Sequence, residues 1–269
     1  MSREDDRSLR FYNEVLGLDH LHYGIWNGDE ELTLANLKEA QLRYENYLIS
    51  KLPPSAKKIL DVGCGTSAMT QRMLGMDLEV HGLSPDKTQK ENFTQNLNVP
   101  FYHCLFEDFD SDERFDCMVM SESAQYIPYI QLFETVRKHL NPEGHLMICD
   151  YFVLDHSSGV LAKSGHNLNQ FKAEAEKQGF KLINERDITE ETAKTLDLAL
   201  LLAERILKAA EIFSEKSRMK HPLLTKLVFR LFRKKWAKIN RDRALIDSEA
   251  FKDQKRYLFL LYECQEQKG

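Results

Sequence analysis

The chain has 269 residues, 42% of them hydrophobic and 29% charged, and a net charge of −5 at pH 7. This length suits one large domain or a domain with a sizeable insert, and the apolar content allows a packed core. Because no apolar run follows the charged start or reaches membrane-spanning length, we expect neither a signal peptide nor a transmembrane helix. The five cysteines are scattered without a CxxC pair. They predict a reduced, cytoplasmic protein without a disulfide framework or zinc knuckle.

The first 52 residues predict an N-terminal helical cap outside the sheet. A cluster of ring-bearing residues at 19–26 precedes a predicted helix at 33–52. Apolar residues recur along this helix at helical spacing and give it one apolar face. Two prolines at 53–54 then end it, because proline interrupts helical hydrogen bonding.

Residues 53–189 predict the core of a doubly wound α/β fold. Short apolar runs alternate with helical segments from residue 57 onward, a pattern typical of a mainly parallel sheet. We predict seven strands in the whole chain, at residues 58–62, 78–83, 101–106, 115–120, 145–152, 180–187 and 256–264. The predicted helices between them lie at residues 67–74, 86–96, 129–140 and 170–178.

Residues 190–253 predict a helical lid inserted between the last two strands, and residues 254–269 supply the final strand and a tail. Within residues 201–245 there are 13 Lys and Arg against 4 Asp and Glu. Residues 223–239 have the pattern of a basic amphipathic helix. Its basic face is expected to meet solvent, an anionic membrane or an acidic carrier protein. We expect no nucleic acid partner, since no recognition motif accompanies the charge.

Residues 58–66 contain the motif that carries most information about function. A β-prone run ends at Asp61 and Val62, and Gly63 and Gly65 follow before the next predicted helix. Glycine lets the backbone turn sharply and lets a ligand approach main-chain atoms. A strand, a glycine turn and a helix in this order form the cofactor end of a doubly wound domain. Ala68 stands where a dinucleotide fingerprint requires a third glycine, so a dehydrogenase is a poor interpretation.

This stretch resembles motif I of the class I S-adenosylmethionine (SAM) methyltransferases, with Asp61, Gly63 and Gly65 matching position by position. The resemblance implies the seven-stranded methyltransferase fold and SAM as the cofactor. It also implies that Asp61 lies near the methionine ammonium. The turn of Gly63, Cys64 and Gly65 would lie under the methionine and ribose. A tight turn in a nucleotide-binding type of fold, without methyl transfer, is the alternative interpretation.

Two further segments extend the resemblance toward the nucleoside. The sequence HGLSP at residues 81–85 is similar to a GxTxSP-like segment of γ-tocopherol methyltransferases and cyclopropane fatty acid synthases. It lacks the acid that usually holds the ribose, so Ser84 is expected either to bond a ribose hydroxyl or to be the N-cap of the next helix. In the family the following region borders adenine, which here corresponds to Phe106, Glu107 and Asp108. A solvated acidic turn is an equal alternative for these acids.

The end of the fourth predicted strand resembles the SMESGEH segment of tocopherol methyltransferases, which implies that Ser121 and Glu122 belong to the cofactor site. Cyclopropane synthases have an acid–histidine pair near the end of this segment, where this chain has Gln125 and Tyr126. No histidine accompanies Tyr151 after the fifth strand either. We therefore expect ordinary methylation of a nucleophile rather than ring closure on an alkene.

Residues 19–26 resemble the EHMHHGFW segment of tocopherol methyltransferases, which implies a loop that closes over SAM. Tyr23 and Trp26 are expected to exclude water and to face the sulfonium with their rings. His20 and His22 have a metal-ligand spacing, but the chemistry needs no metal and no third ligand is nearby in the sequence, so we predict no metal site. Where an acceptor must lose a proton, the candidate general bases are His22, Tyr23, Tyr126 and Tyr151.

These features predict a SAM-dependent methyltransferase acting on a small acceptor that is apolar or linked to a carrier or lipid. O-methylation is favoured over N- or C-methylation. The alternative is a non-catalytic protein of the SAM-binding fold that uses its basic helix to bind an anionic membrane or an acidic partner.

Overall fold

The computed structural model describes residues 16–18, 20, 22–220 and 243–265. The strands are β1 (Lys58–Val62), β2 (Glu79–Leu83), β3 (Phe101–Tyr102), β4 (Phe115–Ser121), β5 (Leu140–Val153), β6 (His166–Asn167), β7 (Phe180–Asp187) and β8 (Lys255–Cys264). The α-helices are α1 (Leu34–Ser50), α2 (Ala68–Leu74), α3 (Lys87–Asn96), α4 (Tyr129–His139), α5 (Leu168–Lys177), α6 (Thr189–Lys220) and α7 (Ser248–Gln254). Short 3-10 helices lie at Phe106–Asp108, Ala124–Tyr126, Leu161–Lys163 and Arg243–Ile246.

The strands form one sheet in the order β3-β2-β1-β4-β5-β8-β7, and β6 pairs with β5. The strands from β1 to β5 are parallel, whereas β8 runs antiparallel between β5 and β7. The predicted α/β class with a mainly parallel sheet is confirmed. Strand order reverses between β1 and β4, and a reversal of this kind opens a crevice beyond the carboxyl ends of the strands.

Buried side chains cover both faces of the sheet. Successive side chains of a strand point to opposite faces, and in β1 Ile59 and Leu60 accordingly belong to two different hydrophobic clusters. The cluster on the Leu60 face includes Phe133 of α4 and Phe171 of α5. The cluster on the Ile59 face includes Tyr44 of α1, so the N-terminal helix packs against the sheet.

Three features of the sheet differ from the sequence prediction. The third strand is only two residues long, because the chain leaves the sheet edge and turns into the 3-10 helix that buries Phe106. The fifth strand begins at Leu140 rather than at His145, since Leu140 pairs with Phe115 across an irregularity in the β4–β5 ladder. The short strand β6, next to the end of β5, was not predicted.

Helices α6 and α7 overlap the region predicted to be a lid, residues 190–253, extending one residue beyond it at each end, and they contact each other. The basic amphipathic helix predicted at residues 223–239 lies outside the described residues. Within the ranges that the structure describes, no helix combines the length and the apolar composition that crossing a membrane requires.

Gly82 in β2 offers a test of the packing between the sheet and α3. An added Cβ at this position would lie 2.5 Å from ring atoms of Phe93 and 3.0 Å from the ring of Phe101. We expect Gly82→Ala to lower the free energy of unfolding by about 1–3 kcal/mol, the usual cost of overpacking a core. Urea denaturation measures the change. Gly28→Ala is the control, since its Cβ would meet nothing within 4 Å, and equal losses in both variants would contradict this packing.

Candidate active site

A cavity of about 710 Å³ lies where the strand order reverses, beyond the carboxyl ends of β1, β2 and β4. One side is formed by the residues at the ends of these strands, beginning with Asp61, Leu83 and Ser121. The cavity is also lined by His22 and Tyr23. They belong to the stretch before α1 that comprises His20 and residues 22–26, here called the N-terminal segment. Ligands of open α/β sheets bind in crevices at this position, so the cavity is the candidate site.

The glycine turn after β1 is held tightly by its neighbours. Gly63 has φ +78° and its backbone N–H donates to the carbonyl of Leu83 at 2.7 Å. A Cβ at this position would lie 2.5 Å from the Cβ of Ser123, so both the conformation and the space require glycine. Gly65 has φ +54°, and its N–H donates to Oε1 of Gln89 at 3.1 Å. The turn therefore presents backbone to the cavity in a fixed shape.

Asp61 places a carboxyl group beside the turn at the end of β1. It is 2% exposed, and its Oδ2 accepts a hydrogen bond from Thr70 Oγ1 at 2.5 Å. Burial raises the pKa of Asp61 to about 6; the Thr70 hydrogen bond lowers it and the negative charge of Glu45 raises it. A cationic group entering the cavity would favour the ionised form of this carboxyl.

Glu122 connects the N-terminal segment to the sheet. It follows β4 in a left-handed conformation with φ +54°. Its Oε1 accepts hydrogen bonds from the backbone N–H of Tyr23 at 2.6 Å and from the hydroxyl of Tyr257 in β8 at 2.5 Å. Removal from water raises the pKa of Glu122, although the charge of His22 and these hydrogen bonds lower it. The segment that covers the cavity is thus fixed to two strands.

Helix α1 holds the same segment from the other side. The side-chain amide of Gln41 donates to the carbonyl of His22 at 2.7 Å. A Cβ added to Gly24 would lie 2.5 Å from the Cβ of Ala40, so the backbone at residue 24 lies directly against the helix. Because of this close approach, the side chain of Tyr23 lines the cavity.

Trp26, predicted to face the cofactor, does not line this cavity. Its indole N–H donates to Thr195 Oγ1 in α6 at 3.0 Å, and its side chain is 2% exposed. It belongs to a cluster with Leu37 of α1 and Leu198 of α6. The ring therefore anchors the N-terminal segment between two helices, and it is Tyr23 that brings an aromatic ring to the cavity.

Most of the predicted site residues do meet in the cavity. They are His22, Tyr23, Asp61, Gly63, Cys64, Gly65, Ser84, Phe106, Glu107, Ser121, Glu122, Tyr126 and Tyr151. Asp108 does not line it, because the 3-10 helix turns its side chain into solvent. The candidate residues for the adenine side are therefore Phe106 and Glu107.

The structure tests one of the two roles expected for Ser84, which do not exclude each other. The N-cap of α3 is Asp86, whose side chain accepts the N–H of Gln89 at 2.8 Å. The interpretation of Ser84 as that N-cap is therefore wrong. Ser84 and Asp86 both line the cavity. The sequence analysis predicted no acid after β2, because Asp86 lies two residues beyond the position at which the family usually has its ribose-binding acid.

A second missed residue is Glu45 of α1, which is 2% exposed. Its Oε1 lies 2.9 Å from Nδ1 of His20 and 3.5 Å from Nε2 of His22, and Arg72 donates to its Oε2 at 3.0 Å. Burial would raise the pKa of Glu45, but the two histidines outweigh that effect and hold it well below its ordinary value. The prediction that no third potential ligand is near the histidine pair is wrong, because folding brings Glu45 to it. The sequence did contain one indication of this, an acidic residue one helical turn after Gln41 on the buried face of α1.

The candidate bases have different surroundings. Tyr126 is 72% exposed, whereas Tyr151 lies with its hydroxyl 3.3 Å from Ser164 Oγ and with Nζ of Lys255 4.1 Å from the centre of its ring. Burial raises the pKa of Tyr151. Tyr151 therefore keeps its hydroxyl proton at neutral pH and can donate a hydrogen bond. The adjacent Asp150 is also buried, and burial raises its pKa to about 8.

Comparison with known proteins gives the same family. The sequence pattern of the methyltransferase domain matches residues 37–199, more than half of the chain. The O-methyltransferase cnsE of Penicillium expansum is 25% identical over 259 residues, covering 82% of this chain and 89% of that protein. The chloroplastic tocopherol O-methyltransferase of Arabidopsis thaliana is 27% identical over 178 residues, covering 56% of this chain and 51% of that protein.

Solved structures share the fold. The geranyl diphosphate C-methyltransferase of Streptomyces coelicolor A3(2), in complex with Mg²⁺, geranyl diphosphate and S-adenosyl-L-homocysteine, has a TM-score of 0.67 at 16% identity. The match covers 97% of this chain and 94% of that one. The cyclopropane synthase MmaA2 of Mycobacterium tuberculosis has a TM-score of 0.65 at 16% identity, with 96% and 94% of the chains covered.

The matched domain, the sheet order and the glycine turn agree with one another. They confirm the resemblance seen in the sequence, and they remove the non-catalytic alternative. The chain belongs to the methyltransferase domain family and is a class I methyltransferase of the small-molecule type, an enzyme whose cofactor is SAM.

Proposed function

We propose that this enzyme transfers the methyl group of SAM to an oxygen atom of a small, largely apolar acceptor. The observation that carries the proposal is the lining of the cavity, which includes the apolar Ile127 and the phenol rings of Tyr126 and Tyr151. Gln125 and Tyr126 occupy the places at which the resemblance to cyclopropane synthases would require an acid and a histidine. Two relatives named as O-methyltransferases give the choice of oxygen further support.

In this proposal the methionine part of SAM lies at the glycine turn. Asp61 pairs with the methionine ammonium, since it is a buried carboxyl with one described hydrogen-bond donor, Thr70. Ser84 and Asp86 after β2 are within the same cavity and suit the ribose hydroxyls. Phe106 borders the base, because an apolar ring at the cavity wall matches a flat heterocycle.

Bound SAM would supply an electrophilic sulfonium methyl group, and S-adenosylhomocysteine would leave as the S–CH3 bond breaks and the new O–CH3 bond to the acceptor forms. The protein's contribution is mainly alignment, which is worth about 7–11 kcal/mol at best. Tyr23 closes the cavity and excludes water, since its backbone is held by Glu122. The hydroxyl of Tyr151 stays protonated and orients the acceptor by donating a hydrogen bond. A base is needed only where the acceptor keeps its proton until attack.

The expected carrier protein or anionic membrane is not part of this proposal. That expectation depended on the basic residues at 223–239, which lie outside the described residues. The proposed acceptor is a small molecule, of a size that a cavity of about 710 Å³ can hold.

The function is tested by a panel of acceptors incubated with the enzyme and methyl-labelled SAM. The panel contains phenols, aliphatic alcohols, carboxylic acids, amines and prenyl compounds of similar size. We expect label in a methyl ether or ester, together with equimolar S-adenosylhomocysteine, detected by mass spectrometry and NMR. Labelled methyl groups found only on nitrogen or carbon would contradict the proposed O-methylation.

The proposed place of the methionine is tested at Gly63. We expect Gly63→Ala to weaken SAM binding at least tenfold by calorimetry, because its Cβ would displace Ser123 and narrow the cavity. Gly159→Ala is the matched control. Position 159 also has positive φ, +66°, but a Cβ there meets nothing within 4 Å and does not line the cavity. Unchanged SAM affinity in folded Gly63→Ala protein would exclude the proposed place.

The proposed ion pair between Asp61 and the methionine ammonium predicts a pH dependence. The pKa of about 6 in the free protein means that Asp61 is ionised above pH 6 and protonated below it. Only the ionised form attracts the ammonium, so SAM affinity should fall up to tenfold per unit below that pH and level off between it and about pH 7.7, where an α-ammonium begins to lose its own proton. Asp61→Asn should bind weakly and without this dependence. A flat affinity profile between pH 5 and 7 in the parent protein would contradict the pairing.

A further inference from the structure

We propose that His20, His22 and Glu45 form a binding site for a divalent transition-metal ion at the edge of the SAM cavity. Two imidazoles and one carboxylate are a common ligand set for such ions. The three residues line the cavity. Positions of the ion that the protein leaves open would therefore face the bound small molecules.

The donor atoms are already close to the separation that a metal ion requires. Nδ1 of His20 lies 2.9 Å from Oε1 of Glu45, and Nε2 of His22 lies 3.5 Å from the same oxygen. All three donor atoms lie within 4.8 Å of one another. Ligands about 2.0–2.2 Å from a zinc ion are roughly 3–3.5 Å apart in tetrahedral geometry. Small side-chain rotations would complete the arrangement.

The hydrogen bonds of His22 set its tautomer for metal binding. Its Nδ1 lies 2.8 Å from the carbonyl oxygen of Tyr23, which can only accept, so Nδ1 carries the proton. In the neutral ring, Nε2 then presents a lone pair toward the carboxylate oxygen of Glu45. Two facing acceptors repel each other unless a proton on Nε2 or a metal cation lies between them. A backbone carbonyl on the remote ring nitrogen is the usual outer-shell partner of a metal-binding histidine.

Helix α1 fixes the ligands from behind. The side-chain amide of Gln41 donates to the carbonyls of both His20 and His22, at 3.3 and 2.7 Å. The ring of His22 stacks on Tyr44 at 4.5 Å between centroids. Arg72 holds the second oxygen of Glu45 and leaves Oε1 for the ion. The site is thus built on a helix and a hydrogen-bonded segment, which favours a defined geometry.

The ligand set indicates which ions fit. Imidazole suits zinc, cobalt, nickel, copper and iron(II), whereas magnesium and calcium prefer sites made of oxygen ligands. Three protein ligands leave at least one coordination position open. An oxygen donor would fill it, and this part of the inference rests on the proposed function. The oxygen belongs either to the methionine carboxylate of SAM or to the acceptor.

Metal binding is tested with untagged, chelator-treated full-length protein. We expect one equivalent of Co²⁺ to bind and to produce visible d–d absorption, and Zn²⁺ to displace it in calorimetry. His22→Ala and Glu45→Gln should each weaken binding roughly a hundredfold or more. His156→Ala is the control, since this exposed histidine bonds the carbonyl of Asp253 on another part of the surface and should bind like the parent.

Thermal unfolding without metal establishes that each variant is folded. If Glu45→Gln does not fold, His20→Ala and His22→Ala decide the outcome in its place. The inference is overturned if the parent binds no stoichiometric Co²⁺ or Zn²⁺, or if the ligand variants bind as tightly as His156→Ala. Methyl transfer that persists in chelator-treated protein would leave the proposed function intact, so the two failures are distinguishable.

Measuring SAM affinity and the acceptor KM with and without Zn²⁺ distinguishes the two possible sources of the oxygen ligand. A metal-dependent gain in SAM affinity, lost in His22→Ala, assigns the open position to the methionine carboxylate. A metal-dependent fall in the acceptor KM, with SAM affinity unchanged, assigns it to the acceptor. If neither quantity depends on metal, the oxygen-ligand part is overturned.

Discussion

One carboxylate oxygen of Glu122 joins three parts of the chain that are far apart in sequence. It accepts the N–H of Tyr23 from the N-terminal segment and the hydroxyl of Tyr257 from the last strand, while Glu122 itself follows β4. Hydrogen bonds to a buried carboxyl oxygen are costly to break, because the donors would be left without a partner where water is excluded. The cavity has a closed side because this oxygen holds the N-terminal segment over the carboxyl ends of the strands.

Titratable groups are buried in the cavity wall, as Asp61 is, and close behind it, as Asp150 and Lys255 are, where their ionised forms are disfavoured. Burial raises the pKa of Asp61 to about 6 and that of Asp150 to about 8, and it lowers the pKa of Lys255 to about 8. Taking a charged group out of water costs several kcal/mol unless a partner repays it. The proposed methionine ammonium would offset that cost at Asp61, and perturbed carboxyls are typical of functional sites. Glu45 is almost fully buried and already has Arg72 and the two histidines as partners, and the proposed metal ion would add a further positive one.

The features that could be predicted from the sequence are those that depend on residues close together in the chain. Asp61 and Gly63 could be assigned because a strand, a glycine turn and a helix are contiguous in the chain. Trp26 was misplaced because its partner Thr195 is 169 residues away, and no local pattern connects them. The acid beside the histidine pair, Glu45, was missed for the same reason: the N-terminal segment and α1 meet only through folding. The third strand was predicted too long because apolar residues at a sheet edge can leave the ladder to bury a ring, as Phe106 does.

We propose that the cofactor binds in the cavity between the N-terminal segment and the glycine turn. A crystal structure of the protein with S-adenosylhomocysteine is the decisive measurement. We expect the methionine ammonium within hydrogen-bond distance of Asp61 and the methionine backbone over Gly63. We also expect Tyr23 to cover the sulfur while Trp26 stays bonded to Thr195. Density for the ligand elsewhere, or a methionine directed away from Asp61, would exclude this binding site.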